Sequence, residues 1–321
     1  MNDTAVTTPY PSASVPGRIL LTGVNGQVGG ECLPLLQAMG EVLAPTRAEL
    51  DLSDAAAVRE FVARHKPRWI VNPAAYTAVD KAESEAEAAW AINLGAVRAL
   101  GEEAAKIGAP VLHFSTDYVF AGEGTEPWRE TDPTAPLGVY GASKLAGEQA
   151  LAATGAPYMI FRTSWVYGAR GKNFMLTILR FAREKQEMKI VADQHGAPTS
   201  ARDLARLVAH VIAHFEEAAA TSGKPLAEVF APATGIYHAC NAGSTTWFGF
   251  AEEFTRLAQE ATPEQRYASL QPISTAEYPT PAKRPSNSRM SCAKLHDQLG
   301  FEMPTWQQST AEIMAEVLGK G

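Results

Sequence analysis

Tyr140 and Lys144 stand four residues apart in Tyr140-Gly141-Ala142-Ser143-Lys144. That spacing puts both side chains on one face of a helix. A phenol beside an ammonium is a proton-transfer pair. The cation favours phenolate, so the tyrosine is expected to titrate below its usual value of about 10 and to exchange a proton with a carbonyl or alcohol oxygen. Pairs of this kind are common on helix surfaces, and a second group gives this one weight. Thr116 lies upstream in Phe114-Ser115-Thr116-Asp117-Tyr118-Val119-Phe120. A hydroxyl there can hold the same substrate oxygen against Tyr140, and Asp117 can accept from sugar hydroxyls.

A third constellation handles phosphate. Gly23, Gly26 and Gly29 are spaced G-x-x-G-x-x-G directly after the apolar run Arg18-Ile19-Leu20-Leu21. With 25 glycines in the chain, three could fall so by chance, but their place after a buried strand argues for a phosphate loop. Gly23 turns the chain, Gly26 lets the backbone near a pyrophosphate, and Gly29 lets a helix pack close to the strand. Gln27 and Val28 then fall at the start of that helix, whose free N–H groups face the phosphates. The second strand ends in Ala44-Pro45-Thr46-Arg47. No acid is there to take a ribose 2′-hydroxyl, and Arg47 can pair with a 2′-phosphate, so NADPH is expected, with NADH tolerated. Asp51 and Leu52 are placed to flank the adenine.

These groups need a scaffold of strand ends. Buried apolar runs at 18–23, 68–72, 110–115 and 158–162, with a weaker one at 41–44, alternate with helical patterns at 83–107 and 138–153. Alternation of this kind gives an α/β fold, a Rossmann-type doubly wound parallel sheet, with ligands at the carboxyl ends of its strands. Beyond about residue 170 the pattern loosens. Helices are expected at 174–184, 202–217, 247–259 and 312–318, strands at 189–191 and 236–239, and an extended loop at 272–288. The expected division is a disordered leader at 1–17, a dinucleotide-binding domain at 18–165 to which later excursions return, and a smaller, mainly substrate-binding part at 166–321.

The 321 residues, 46% hydrophobic and 20% charged, are enough for a packed core without disulfide or metal staples. A formal charge of −7 without basic blocks argues against nucleic acid and against an anionic membrane surface as partners. Cys32, Cys240 and Cys292 are too sparse for a disulfide framework or a cysteine zinc site. No apolar run is long enough for a membrane span, and the N-terminus lacks a secretory pattern. Together these suggest a cytoplasmic protein. His210 and His214 have helical metal-pair spacing but lack a third ligand, so no metal is expected.

The chain resembles the extended short-chain dehydrogenase/reductase family. The resemblance runs from about Arg18 to the C-terminus and rests on LLTGVNGQVG (20–29), VNPAAYTAVDKAE (71–83), STDYVF (115–120), VYGASKLAGE (139–148), RTSWVYG (162–168), DQHGAPT (193–199) and TPAKRPSNSRM (280–290). It implies a nicotinamide-dependent reduction of the C4 ketone of a deoxythymidine-diphosphate-linked 6-deoxyhexose, so the small-molecule partner is a dTDP-sugar. Carried over residue by residue, Thr116, Tyr140 and Lys144 match the catalytic triad. Gly26, Gln27 and Val28 match the phosphate loop, Asp51 and Leu52 the adenine contact, and Ala75, Tyr76, Thr77 and Phe114 further cofactor positions. Thr116, Asp117 and Trp165 match sugar contacts, and Arg284 and Asn287 the nucleotide-diphosphate end. Some relatives dimerise through glutamates and magnesium. A homodimer stays open here, but Arg202 stands where 200–204 would need a glutamate to join Glu31, so metal-linked assembly is not carried over. Two alternatives remain: another nucleotide-sugar reductase or epimerase of the same fold, and a non-catalytic nucleotide-binding regulatory subunit. A dehydratase is disfavoured because Tyr118 follows Asp117 where an acid would be needed.

Overall fold

In the computed structural model, which describes residues 14–319, six parallel strands form one sheet. They are β1 (Arg18–Leu21), β2 (Glu41–Leu43), β3 (Trp69–Asn72), β4 (Val111–Thr116), β5 (Tyr158–Thr163) and β6 (Gly235–His238), in the order β2-β1-β3-β4-β5-β6. Leu20 lies opposite both Leu43 and Ile70, so β1 is the strand from which the winding reverses. The crevice between the ends of β1 and β3 is therefore the ligand site that such topology creates.

Alternate residues of these buried strands face opposite layers. Ile19, Leu21, Val71, Leu112, Phe114 and Phe161 share a core with helices α1 (Gln27–Gln37) and Ala201–Ser222. Leu20, Ile70, Val111 and Ile160 join a second core with helices α2 (Ala55–His65), α3 (Val97–Ile107) and α4 (Val139–Ala152). Glu216, on Ala201–Ser222, takes the Trp69 indole N–H at 2.6 Å and both donors of Arg68, fixing that long helix across β3.

α2 is absent from the sequence reading, although Asp54 caps it through the amides of Ala56 and Ala57 and Lys66 ends it in a left-handed conformation. The Ala-rich stretch expected as one helix at 83–107 is broken instead into Ala86–Trp90, a π-helical turn Ala91–Ala96, and α3. The leader also needs correction at its end. Val15 is buried in the core and its N–H donates to the Met39 carbonyl at 2.8 Å, so this part belongs to the fold; the leader's residues 1–13 lie outside the described residues.

A third core is built after β5. Helix Phe174–Glu184, the parallel pair Glu187–Val191 and Ser269–Ile273, and helices Trp247–Ala261 and Trp306–Val317 bury Tyr167, Met175, Ile190, Phe250, Phe254 and Ile313 together. Ser269–Ile273 takes up the start of the expected loop at 272–288. Between the second and third of these elements the chain returns to the first core through Ala201–Ser222 and β6.

Candidate active site

β4 runs fully buried to its last residue, Thr116, and delivers that hydroxyl to the carboxyl edge of the sheet. There Thr116 accepts from the Tyr118 N–H at 3.2 Å and donates to the Asp117 carboxylate at 2.9 Å. α4 starts beside it, its first amide, Val139, held by the Glu83 carboxylate at 2.9 Å. Gly141 makes the approach possible: a Cβ there would stand 2.2 Å from the Tyr118 carbonyl oxygen. Tyr140 and Thr116 thereby come close enough for the hydroxyl to act on the phenol, with the Tyr118 ring edge-on to Tyr140 at 5.4 Å. One helical turn on, the buried Lys144 donates to the Phe114 carbonyl at 2.6 Å.

The electrostatics of the phenol differ from the sequence expectation. Burial pushes Tyr140 well above its ordinary value; the Thr116 hydrogen bond opposes this, and Asp117 and Tyr118 add to it. The Lys144 ammonium does not offset the burial; it turns toward β4, where it meets the Phe114 carbonyl and His113. The physical reason is that spacing on a helix fixes the face but not the direction of a long, flexible side chain. Burial in turn lowers Lys144 to about 8, against the field of Glu148. Burial also raises Asp117 to about 6, although Ser288 and Thr116 both donate to its carboxylate.

The crevice at the β1/β3 reversal is lined by Gly23, Gly26, Arg47, Asp51, Leu52 and Ala75 among others. Gly26 precedes α1 with no side chain capping the helix, so the first amides of α1 are free for phosphate oxygens. A Cβ on Gly29 would lie 2.2 Å from the Gly23 carbonyl oxygen, so helix and turn touch backbone to backbone. The cradle thus fits a dinucleotide on its own geometry. Gln27 contributes at most its amide, since its side chain bonds Val166 and Asn173 of the second part. Val28 packs on the core. Phe114 is present through its carbonyl, its ring lying against Phe161. Tyr76 is clamped at both backbone groups by Asn93, at 2.9 and 3.1 Å, and Thr77 is exposed beside it.

Asn93, Asn72, His113, Ser143 and Ser288 were not singled out from the sequence. Asn93 sits in the π-helical turn, which aims it inward, where it also donates to Ser143 at 3.0 Å. Gly147 lets α4 approach this turn, a Cβ there falling 2.0 Å from the Asn93 carbonyl oxygen. The available signals were one polar residue within an apolar strand (His113) and glycines on the faces of an otherwise good helix.

A separate cleft of about 690 Å³ opens between Phe174–Glu184 and Glu187–Val191, lined by Lys172, Lys185, Lys189, Trp247, Tyr278 and Arg284 among others. Arg284 stands between it and the Thr116–Tyr140 corner, pairing with Asp80 at 2.8 Å and near enough to Tyr118 to act on its hydroxyl. Trp165 holds a left-handed backbone (φ 51°) and stacks on Trp247, centroids 3.8 Å apart, with its ring edge against Gly196. Asn287 departs from its expected ligand role. It is 2% exposed, its amide donates to the Glu123 and Glu126 carbonyls, and its oxygen accepts from the Arg289 N–H, so it organises the loop that bears Ser288.

Away from the clefts, the Arg202 guanidinium contacts Glu31, Glu312 and Glu316, and His210 bonds the Leu299 carbonyl at 2.8 Å. Among the described residues no group of three or more His, Cys, Asp or Glu is placed to hold a metal, and no helix is long and apolar enough to cross a membrane.

The family described as RmlD substrate binding domain matches residues 17–318. A dTDP-4-dehydrorhamnose reductase of Burkholderia thailandensis is 44% identical over 306 residues, covering 94% of this chain and all of that protein. That of Escherichia coli K12 is 43% identical over 303 residues, covering 93% and 97%. Among solved structures, the dTDP-4-dehydrorhamnose reductase of Bacillus anthracis in complex with NADP superposes with a TM-score of 0.83 at 32% identity, over 94% of this chain and all of that one. With near-complete coverage in both directions, and a β1/β3 crevice beside a Thr–Tyr–Lys corner, the chain belongs to the dTDP-4-dehydrorhamnose reductase family of the extended short-chain dehydrogenase/reductases.

Proposed function

We propose that this protein reduces the C4 ketone of dTDP-4-dehydro-L-rhamnose to the alcohol of dTDP-L-rhamnose with NADPH as reductant. The observation that carries the reading is the convergence of Thr116, Tyr140 and Lys144 at the carboxyl end of β4, the strand next to β3 and its glycine-cradled crevice. The α1 amides and Gly26 would take the pyrophosphate, Arg47 the 2′-phosphate, Asp51 and Leu52 the adenosine, and Lys144 the nicotinamide ribose. When bound, the cofactor supplies the hydride that reaches the sugar C4.

The chain's own part is the proton. Tyr140 Oη donates it to the ketone oxygen as that oxygen gains charge, and the Thr116 hydroxyl hydrogen-bonds the same oxygen and fixes it. Reduction needs this phenol protonated before the reaction. Its upward shift, set by burial, keeps the proton on the phenol until the substrate oxygen takes it. Asp117 would accept from sugar hydroxyls, and Trp165, stacked on Trp247, would offer a sugar an aromatic surface. The Lys172, Lys185, Lys189 and Arg284 cleft supplies cations and aromatic rings for a nucleoside diphosphate.

The direct test follows absorbance at 340 nm with enzymatically prepared dTDP-4-dehydro-L-rhamnose, using NADPH and NADH in parallel, with NMR of the product. One cofactor oxidised per ketone and a product of L-rhamno configuration are expected. Constant absorbance with this substrate and both cofactors would refute the proposal and favour a nucleotide-binding regulatory role.

A further inference from the structure

Lys144 is 2% exposed, and its ammonium has three protons to place. One goes to the Phe114 carbonyl at 2.6 Å; a second points at His113 Nε2, 3.3 Å away. The nearest carboxylate on its own helix, Glu148, has its two oxygens on Arg162 at 3.0 and 2.6 Å. Two neutral acceptors therefore hold a buried cation, and losing either leaves a donor without a partner. The third proton is left for a ligand.

The geometry points to His113 as a positioning residue for Lys144: its Nε2 is the second acceptor that holds the ammonium in one place against β4, beside the reacting corner, an inference that rests on the catalytic reading of Lys144 given above. His113 is fully buried in β4 and lies between Lys144 of α4 and Asn72 of β3. Burial and the Lys144 charge both keep its ring neutral. A neutral imidazole that accepts at Nε2 carries its proton on Nδ1. Nδ1 lies 3.3 Å from the Asn72 backbone oxygen, which can take that proton, and 3.0 Å from Asn72 Nδ2, a position the amide oxygen takes when the group is turned over. That amide contacts the Thr22 hydroxyl at 2.5 Å, and either amide orientation suits a hydroxyl that both donates and accepts. Thr22, just after β1, and Asn72, the last residue of β3, thus fix one edge of the His113 ring within β4 and leave the other to Lys144.

Two substitutions separate this role from a purely structural one. His113→Gln places an amide oxygen near Nε2, within reach of Lys144; His113→Asn reaches only the Nδ1 side, toward Asn72. We expect the Gln variant to keep kcat within about threefold of wild type. The Asn variant is expected to lose about 10- to 50-fold in kcat with KM for the keto-sugar within about twofold. The alkaline limb of its kcat profile should also move to lower pH, because an ammonium with one acceptor fewer gives up its proton more readily. The groups facing that ammonium are His113 from β4 and Glu148 from α4, and neither variant alters Glu148. The reverse order, Asn active and Gln not, or an unmoved limb in both, overturns the inference. Lys144→Met run alongside tests the reading beneath it: wild-type turnover in that variant removes the catalytic assignment and this inference together. Should both His113 variants fail to fold, 15N NMR of the wild-type imidazole decides, Nδ1–H supporting the inference and Nε2–H overturning it.

Discussion

Gly29 and Gly30 are consecutive glycines in the first turns of α1, and the structure assigns opposite signs to their replacement by alanine. At Gly29 the added methyl would stand 2.2 Å from the Gly23 carbonyl oxygen and 2.6 Å from its carbon, both backbone atoms. Ordinary carbon–oxygen contacts lie roughly 1 Å further out, so α1 and the β1 turn must part by about that distance. Overpacking against backbone costs about 1–3 kcal/mol or more. The moving parts are also the phosphate loop itself, so NADPH affinity should fall about tenfold or more, equivalent to roughly 1.4 kcal/mol. At Gly30 the same methyl meets only the Val24 carbonyl oxygen at 3.4 Å, an ordinary contact, and the helix gains about 0.5–1 kcal/mol from losing a glycine. Urea unfolding and NADPH fluorescence titration on the two variants give both quantities. Gly29→Ala is expected to be less stable and to bind poorly; Gly30→Ala should be at least as stable as wild type with unchanged binding. Equal behaviour of the two variants, or a Gly29→Ala protein within about 0.5 kcal/mol of wild type, would show that helix and turn are not in backbone contact.

Tyr140→Phe should lower kcat by about 10²–10⁴-fold while NADPH binding by fluorescence stays within about twofold, since only the proton donor is removed. Arg47→Ala should weaken NADPH by about fivefold and leave NADH unchanged in parallel titrations, because an exposed guanidinium contributes a modest, phosphate-specific contact. Asp117 has a folded pKa of about 6 against 3.8 for the free group, so the native state holds its proton longer than the unfolded chain does. Stability from this group is therefore greatest below about pH 4 and declines as pH rises through 6, by on the order of 3 kcal/mol. Asp117→Asn should flatten that part of the pH–stability curve in urea titrations, and an unchanged slope would contradict the assigned shift.

What the sequence made legible was what local patterning controls. Buried apolar runs announced β1, β3, β4 and β5 because a parallel strand covered on both faces has few polar positions, and the helix at Phe174–Glu184 was readable to the residue from its strong amphipathic period. α2 escaped because its Ala-rich start offers little periodicity, even though Asp54 is a good cap. The site's corner was readable because Thr116 ends β4, Tyr140 stands in the first turn of α4, and Lys144 follows it one turn later on the same face. The direction of Lys144 was not, since it depends on a Phe114 carbonyl and a His113 ring brought alongside by β4. Asn287 misled for a similar reason: a polar residue beside an arginine reads as a ligand until tertiary neighbours, the Glu123 and Glu126 carbonyls, take its donors.

The return of the chain to the first core through Ala201–Ser222 and β6, between elements of the third core, makes the two parts of the molecule inseparable by any single cut. A fragment ending after Thr163 would leave β5 as a bare outer strand with every hydrogen-bonding group that now meets Gly235–His238 turned to solvent, an open template for self-association. The early strands can form as they are synthesised, but the sheet's far side is completed only after the first elements of the other part have been made. Exchanging the third core between relatives would therefore mean grafting segments on either side of β6, not transplanting a C-terminal half.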